Sequence, residues 1–191
     1  MLRNVKYSDS GSGSDSGSCG SGSSSNNDID LSPPDQLTKI DIQNDYIYHH
    51  INNGVYRAGF ATSQSAYETA VNDVFTGLSK IENILENNVY INGNNVTESD
   101  IFLLPTIVRF DAIYHSHFKC GYTTIQQSYP NISKWAKRMY KLSGSVSSCY
   151  DMIDAKRSYY KLLFPLNPSG IVPSTSTGWY DNLLLTTQDQ W

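Results

Sequence analysis

The stretch that decides the fold is Thr97-Glu98-Ser99-Asp100, followed by Ile101-Phe102-Leu103-Leu104-Pro105-Thr106-Ile107-Val108. Thr97 and Asp100 have the spacing of a capping box, in which each side chain accepts a hydrogen bond from the backbone N–H of the other residue. The residues that follow are apolar on nearly all sides, which is typical of a buried central helix. The sequence therefore predicts a central helix that begins at a structural cap formed by Thr97 and Asp100.

Helical patterns surround this central helix, and no segment shows the convincing alternation of a strand. The clearest pattern follows Ser63 or Ser65, where apolar residues recur at three- and four-residue spacing over about five turns. Residues 132–142 show a second such pattern, and residues 40–53 a third, which ends at an Asn-Gly stop signal. Residues 146–164 are a weaker candidate. We therefore predict an all-α bundle of about five or six helices.

The chain divides into three parts by composition. Fifteen of the eighteen residues at positions 8–25 are Ser or Gly. We expect residues 1–35 to form a disordered leader, because such a segment has too little apolar surface to offset the entropy lost on ordering. Residues 36–173 hold the helical patterns and form the predicted domain. Residues 174–191 are an unassigned tail.

Composition and charge argue against several classes of protein. A net charge of −4 and a pI near 5.4 do not suit a nucleic-acid-binding face. The sequence has no run of about 18 apolar residues, which a membrane helix needs, and no signal-peptide core follows residues 1–7. The three cysteines, Cys19, Cys120 and Cys149, are too scattered for a disulfide framework. We therefore expect a cytoplasmic protein that binds neither membranes nor nucleic acids.

Two histidines, His115 and His117, raise the question of a metal site. On a helix, residues i and i+2 point about 200° apart, so these two side chains cannot share an ion. No cysteine pair with the spacing of a zinc site lies near them. We therefore expect no bound metal and interpret these histidines as structural, hydrogen-bonded residues.

Arg109 and Tyr114 lie in the middle of an otherwise apolar helix and have two interpretations. The first is structural, with buried ion pairs that hold the bundle together. The second is that one of them lines a cleft that faces another domain. Spacing alone favours the first interpretation, because buried polar groups are usually paired within the protein.

Several segments occur in the order found in one enzyme family. They are Tyr56-Arg57-Ala58-Gly59-Phe60-Ala61, Arg109-Phe110-Asp111-Ala112-Ile113-Tyr114, His117-Phe118-Lys119-Cys120, Tyr129-Pro130-Asn131-Ile132, Lys156-Arg157-Ser158-Tyr159-Tyr160 and Asn167-Pro168-Ser169-Gly170-Ile171-Val172-Pro173. Over about residues 41–173 the chain resembles the C-terminal helical domain of the glutathionyl-hydroquinone reductases, the xi or omega-like branch of the glutathione transferases. The resemblance implies the helical fold of that domain.

The resemblance also implies a function and a set of site residues. Enzymes of this family remove glutathione from glutathionyl-hydroquinones. A cysteine in an N-terminal thioredoxin-like domain attacks the sulfur, and glutathione, the co-substrate, resolves the mixed disulfide. Tyrosines of the helical domain hold the quinol, and by position they match Tyr56 and one of Tyr159 and Tyr160. We prefer Tyr160 as the residue that approaches Tyr56, because adjacent helical residues point about 100° apart and only one of them can face the cleft.

The thiol half of that site has no match in this sequence. No cysteine followed by a proline and an aromatic residue precedes Tyr56, and Cys19 lies in a Ser-Cys-Gly context with nothing to lower its pKa. We therefore expect a truncated chain with no catalytic residue and no bound cofactor, whose partners are the family's glutathione and hydroquinone-type molecules. The alternative is a non-catalytic interaction module, because an uncovered cleft face is an apolar patch that favours a homodimer.

Overall fold

The computed structural model describes residues 30–142 and 151–174, and the regular structure in these ranges is helical. Residues 1–29 of the predicted leader, the first part of the weak pattern at 146–164, and the tail beyond residue 174 lie outside the described residues. The end of the predicted leader at residues 1–35 is part of the described structure, where the Leu31 carbonyl accepts a hydrogen bond from the backbone N–H of Glu98 at 2.8 Å. An isolated antiparallel bridge between Tyr90 and Gly93 is the one β contact in the described ranges. None of the helices in these ranges is both long enough and apolar enough to cross a lipid bilayer.

The chain forms a bundle of helices, two of which run directly into π-helical turns. In order, they are α1 (Leu37–Ile47), a first π turn (Tyr48–Asn52), α2 (Gly54–Gly59), α3 (Gln64–Asn87), α4 (Glu98–Arg109), a second π turn (Phe110–Tyr114), α5 (His115–His117), α6 (Ile125–Ser128), α7 (Pro130–Lys141) and α8 (Met152–Leu162). Counted with the π turns that join them, these elements make six helical segments in the described residues. The predicted all-α bundle is confirmed.

The long helix α3 packs one apolar face against α2, the first π turn and α7. Ser63 caps its start by accepting a hydrogen bond from the backbone N–H of Ala66 at 3.3 Å. The buried face of α3 is the one that the spacing predicts, and it consists of Ala70, Val71, Val74, Gly77, Leu78, Ile81 and Leu85. The largest side chain in the core, Trp135, comes from α7.

Thr97 and Asp100 form a capping box at the start of α4. Asp100 is fully buried, and its carboxylate accepts hydrogen bonds from the backbone N–H of Thr97 at 3.0 Å, that of Ile91 at 3.0 Å, the Thr97 hydroxyl at 3.1 Å and the Trp135 indole N–H at 2.8 Å. Burial raises the pKa of Asp100, while these hydrogen bonds oppose the rise. The cap therefore also ties α4 to α7 and to the loop before it.

The sequence did not predict α2. The first π turn ends at Asn52, as the stop signal at Asn53-Gly54 indicates, but a new helix begins at Gly54 and continues to Gly59. A Cβ atom at position 54 would lie 2.8 Å from the Cγ2 atom of Val74, which is too close for an ordinary contact. Gly54 therefore allows the backbone of α2 to approach α3, and this close packing explains the glycine.

Candidate functional site

Three tyrosine hydroxyls, those of Tyr56, Tyr114 and Tyr159, meet at one point in the bundle. The Tyr159 hydroxyl lies 2.8 Å from that of Tyr56 and 3.1 Å from that of Tyr114. The Tyr56 and Tyr114 hydroxyls are 3.5 Å apart, at the outer limit of a hydrogen bond. The three residues belong to α2, the second π turn and α8, so elements distant in sequence form one polar cluster, which we call the tyrosine triad.

The triad rests on the ring of Phe118, which is fully buried. The centroid of this ring lies 5.1 Å from that of Tyr56, 5.0 Å from that of Tyr114 and 5.9 Å from that of Tyr159, each in an edge-to-face arrangement. Gly59 lies directly against the Phe118 ring, and a Cβ atom at that position would overlap it. Close packing under the triad therefore fixes the direction of its three rings.

The second π turn carries Tyr114, which is 2% exposed. A π turn contains one residue more than an α-helical turn, so it changes the direction of the side chains that follow it. Asp111 in this turn accepts hydrogen bonds from the backbone N–H groups of Ile125 at 2.7 Å and Gln126 at 3.3 Å. The first turn of α6 is thereby attached to the π turn.

The structure brings Tyr159, and not Tyr160, to Tyr56, which corrects our preference for Tyr160. Tyr160 points to a different side of α8, where its ring packs on His117 with 4.4 Å between the ring centroids. The spacing rule that only one of two adjacent residues can face the cluster holds, but the rotation of α8 about its axis depends on packing.

A cleft of about 610 Å³ opens beside the triad. Its lining residues are Tyr48, Asn52, Asn53, Tyr56, Glu98, Ile101, Phe102, Pro105, Thr106, Arg109 and Tyr114. Two of the aromatic residues, Tyr48 and Phe102, stack with their ring centroids 6.4 Å apart. Arg109 and Tyr114 therefore line a cleft, as in the second interpretation of these residues. The cleft offers flat apolar walls and a few polar groups, which is the usual make-up of a small-molecule site.

The electrostatics of the cleft favour protonated phenols. Burial raises the pKa of Tyr56, and the positive charge of Arg109 partly opposes this rise. Burial also raises the pKa of Tyr114, to which its hydrogen bonds with the other two tyrosines add. At neutral pH both hydroxyls therefore keep their protons and can donate hydrogen bonds to an acceptor oxygen.

The described residues contain no group of three or more His, Cys, Asp and Glu side chains that could hold a metal ion. Cys120 is fully buried, and burial raises the pKa of its thiol to about 12. A nucleophilic cysteine needs an accessible thiolate, so Cys120 has a structural role. Cys19 and Cys149 lie outside the described residues.

Sequence reasoning named Tyr114 as a residue that could line a cleft, but did not place it among the substrate-binding tyrosines. Tyr114 completes the triad, although its position in an apolar helix favours a structural role. The signal was present, because a tyrosine buried in a helix needs a hydrogen-bond partner for its hydroxyl. The sequence could not show that the partners of Tyr114 are Tyr56 and Tyr159.

Comparison with known proteins agrees with this architecture. Residues 64–138 match the family model described as glutathione S-transferase, C-terminal domain. The chain is 43% identical over 147 residues to glutathione S-transferase omega-like 2 of Schizosaccharomyces pombe, covering 76% of this chain and 47% of that protein. It is 42% identical over 143 residues to the glutathionyl-hydroquinone reductase YqjG of Escherichia coli, covering 75% of this chain and 43% of that protein.

Solved structures show the same likeness. The crystal structure of the glutathione-S-transferase Xi from Phanerochaete chrysosporium superposes with a TM-score of 0.76 at 40% identity, over 78% of this chain and 48% of that one. The glutathione-bound structure of YqjG gives a TM-score of 0.73 at 40% identity, over 78% and 49% of the two chains. The chain thus spans less than half the length of the two curated relatives, and about half the length of these solved chains. Residues 64–138 therefore belong to the glutathione S-transferase C-terminal domain family, and the relatives and structural neighbours of the chain include glutathionyl-hydroquinone reductases and xi-class enzymes.

Proposed function

We propose that this chain provides the phenol-binding part of a glutathione transferase-like site that acts on glutathionyl-hydroquinones, with glutathione as co-substrate. The observation that carries the proposal is the tyrosine triad beside the cleft. It groups three neutral hydroxyls, which suit the oxygen of a quinol, next to aromatic walls, which suit its ring. The names of relatives such as YqjG support the substrate class, and the glutathione in the YqjG structure supports the co-substrate.

The number of hydroxyl protons in the triad indicates which hydroxyl donates a hydrogen bond to the ligand. Three hydroxyls carry three protons, and the two shorter hydrogen bonds both involve Tyr159. Tyr114 is 2% exposed, so its hydroxyl should donate its hydrogen bond to another member of the triad. In the arrangement that does so, Tyr114 donates to Tyr159 and Tyr159 donates to Tyr56. The Tyr56 proton then remains for a ligand oxygen, and the donations before it make Tyr56 a stronger donor.

Tyr160 takes a supporting part in this proposal, although it was expected among the substrate-binding residues. Its ring packs on His117, away from the hydroxyl of Tyr56. We therefore assign the substrate contact to Tyr56, with Tyr114 and Tyr159 behind it. Arg109 adds a positive charge to the cleft, which stabilises a ligand oxygen with phenolate character.

The transfer step needs a thiolate that the described residues do not provide, since Cys120 is buried and protonated. In this step a thiolate attacks the sulfur of the glutathionyl-hydroquinone. A disulfide forms, the bond between sulfur and the ring carbon breaks, and the ring carbon takes a proton to give the free hydroquinone. A second glutathione, as its thiolate, then attacks this mixed disulfide. The attacking thiolate of the first step is released, and the two glutathione molecules leave joined as oxidised glutathione. We propose that the attacking thiolate lies outside the helical domain, as the resemblance implies.

Saturation-transfer NMR on the full chain tests the binding part of this proposal. Hydroquinone, kept reduced, should bind with a Kd in the millimolar range, on the order expected for so small a ligand. Its aromatic signals should receive saturation from the protein, and the transfer should fall in the Tyr56→Phe variant. Tyr122→Phe is a matched control, because Tyr122 is 62% exposed and stacks on Phe75, away from the cleft. Equal transfer to hydroquinone in all three proteins would refute the assignment.

A second candidate function is self-association through the same face. Tyr48, Ile101 and Phe102 line the cleft and are 46%, 44% and 39% exposed. Adjacent exposed apolar side chains of this kind favour a protein contact, and a second copy of the chain is the simplest occupant. Light scattering should then give the mass of a dimer for the wild type and that of a monomer for Phe102→Ser. A wild-type monomer at high concentration would rule out this candidate.

A further inference from the structure

The first π turn and α4 together form an aromatic wall of the cleft. The π turn contributes Tyr48 and Asn52 to the lining, and α4 contributes Phe102, Pro105 and Thr106. The rings of Tyr48 and Phe102 stack across the junction with their centroids 6.4 Å apart and 28° between their planes. Both rings are partly exposed, so the stack lacks the close surroundings of a core contact. Its geometry therefore depends on how firmly α4 is held against the π turn.

The part of α4 that faces this junction contains Pro105. A proline inside a helix has no N–H to donate, and its ring crowds the carbonyl four residues before it, which here is that of Ile101. The helix is therefore weakened at the turn that carries Phe102. A hydrogen bond from outside α4 can stabilise such a turn.

Asn52 provides two hydrogen bonds to this turn. Its Nδ2 atom donates to the backbone carbonyl of Phe102 at 2.9 Å, and its Oδ1 atom accepts from the hydroxyl of Thr106 at 2.7 Å. Residues 102 and 106 are one helical turn apart, so the two bonds span the turn that contains Pro105. A carbonyl oxygen can only accept, so the NH₂ group of the amide must face Phe102. Both ends of the Asn52 side chain are thus bonded to α4.

We propose that Asn52 is a positioning residue that holds α4 against the first π turn on both sides of Pro105 and thereby keeps the ring of Phe102 stacked on Tyr48. The effect on ligands rests on the proposed function, whereas the effect on the ring stack does not. A cleft of about 610 Å³ is in the size range of sites for molecules larger than a single ring. The wall that Asn52 supports is suited to the part of a phenolic ligand that extends beyond its first ring.

Asn52→Asp is the sharpest test, because it keeps the shape of the side chain and replaces the N–H donor with an oxygen that faces the Phe102 carbonyl. The matched control is Asn53→Asp. It adds the same charge to the lining of the same cleft, and the Asn53 side chain makes no hydrogen bond within residues 30–142 and 151–174. Asn53 is also the N-cap of α2, a position at which Asn and Asp are about equally favourable.

A second pair of variants changes the other end of the amide. Thr106→Val keeps the branched shape and removes the hydroxyl that donates to Asn52. Thr106→Ser retains a hydroxyl and should behave like the wild type. This pair introduces no charge, so it separates the loss of the hydrogen bond from any electrostatic effect.

The first measurement needs no ligand. The full chain is labelled with 4-fluorophenylalanine, and the fluorine signal of Phe102 is assigned from Phe102→Leu. Asn52→Asp and Thr106→Val should shift and broaden this signal, because the ring leaves its stack on Tyr48. Asn53→Asp and Thr106→Ser should leave it near its wild-type position. An unchanged Phe102 signal in folded Thr106→Val protein, or in folded Asn52→Asp protein, would overturn the proposal.

The second measurement compares the affinities of phenol and 4-phenylphenol, which share a hydroxyl and differ by one ring. The wild type should bind 4-phenylphenol more tightly than phenol. Asn52→Asp and Thr106→Val should reduce this preference by about three- to tenfold, the effect of one lost neutral hydrogen bond, and change the Kd of phenol less than twofold. A general loosening of the domain would weaken both ligands alike.

The outcomes separate the two proposals. Equal losses for phenol and 4-phenylphenol in Asn52→Asp, or the same loss of preference in Asn53→Asp, would contradict the role of Asn52. If the wild type binds neither phenol, the proposed function fails, and the fluorine signal of Phe102 alone decides whether Asn52 holds the wall.

Discussion

The hydroxyls of Tyr56 and Tyr159 lie 2.8 Å apart although the two residues are 103 positions apart in the chain. The contact joins α2 to α8, and Tyr114 from the second π turn completes it. Because each hydroxyl can both donate and accept, the loss of one changes what the other two can do. The predictions below begin with this dependence.

Tyr159→Phe should lower the free energy of unfolding by more than the removal of one hydroxyl group would by itself. It leaves the hydroxyl of Tyr114, which is 2% exposed, with only the distant Tyr56 hydroxyl at 3.5 Å. An unsatisfied buried hydroxyl costs about 1–3 kcal/mol. The double variant Tyr114→Phe/Tyr159→Phe removes that unsatisfied group and should recover part of the loss. Urea denaturation of the single and double variants measures this, and a double variant less stable than Tyr159→Phe would contradict the expectation.

Asp100→Asn should destabilise the domain by about 3 kcal/mol, because an amide nitrogen replaces an oxygen that accepts buried hydrogen bonds. The affected donors include the N–H of Thr97 and the indole N–H of Trp135. Asp35→Asn is the control, since Asp35 is exposed. Thermal unfolding followed by circular dichroism compares the two variants. Similar melting temperatures for both would show that the capping box contributes little.

Glu82→Gln should cost about 1 kcal/mol, the usual value of a helix cap. The two carboxylate oxygens of Glu82 accept the backbone N–H groups of Asn131 at 2.8 Å and Ile132 at 2.9 Å, at the start of α7. Glu86→Gln, one turn further along α3 and exposed, should have almost no effect. Urea denaturation measures the free energy of unfolding of the two variants. Equal values would show that Glu82 does not stabilise the start of α7.

Cys120 should resist alkylation by iodoacetamide in the native protein and react readily in urea. Burial raises the pKa of its thiol to about 12, so the thiolate fraction at pH 8 is about one in ten thousand and increases about tenfold with each further pH unit up to that pKa. Mass spectrometry of the peptide that contains Cys120 provides the measurement. Rapid native labelling of this residue would show that the thiol is accessible and would reopen its candidacy as a nucleophile.

The sequence predicted the parts of the fold that depend on local chemistry. The spacing after Ser63 is long and regular enough to define the buried face of α3, and the capping box at Thr97 and Asp100 is a signal carried by neighbouring residues. The glycine at position 54 was different. A glycine that ends a helix and a glycine that permits close packing look the same in sequence, and only the position of Val74 distinguishes them.

The site was less predictable, because it depends on the direction of side chains. The choice between Tyr159 and Tyr160 depends on the rotation of α8 about its axis as it packs against the second π turn. The local sequence of α8 does not determine that rotation. The π turns themselves have no reliable sequence signal. Tyr114 was assigned mainly a structural role for this reason, since its partners come from α2 and α8.

The triad also has a consequence for how the domain responds to heating. Its hydroxyls come from an early, a middle and a late helix, so the cluster exists only while α8 remains docked. A helix that is held less firmly than the core can detach at a lower free energy than the core needs to unfold. Ligand affinity would then disappear before the helical signal does, and a bound quinol would protect the amide hydrogens of α8 from exchange more than those of α3.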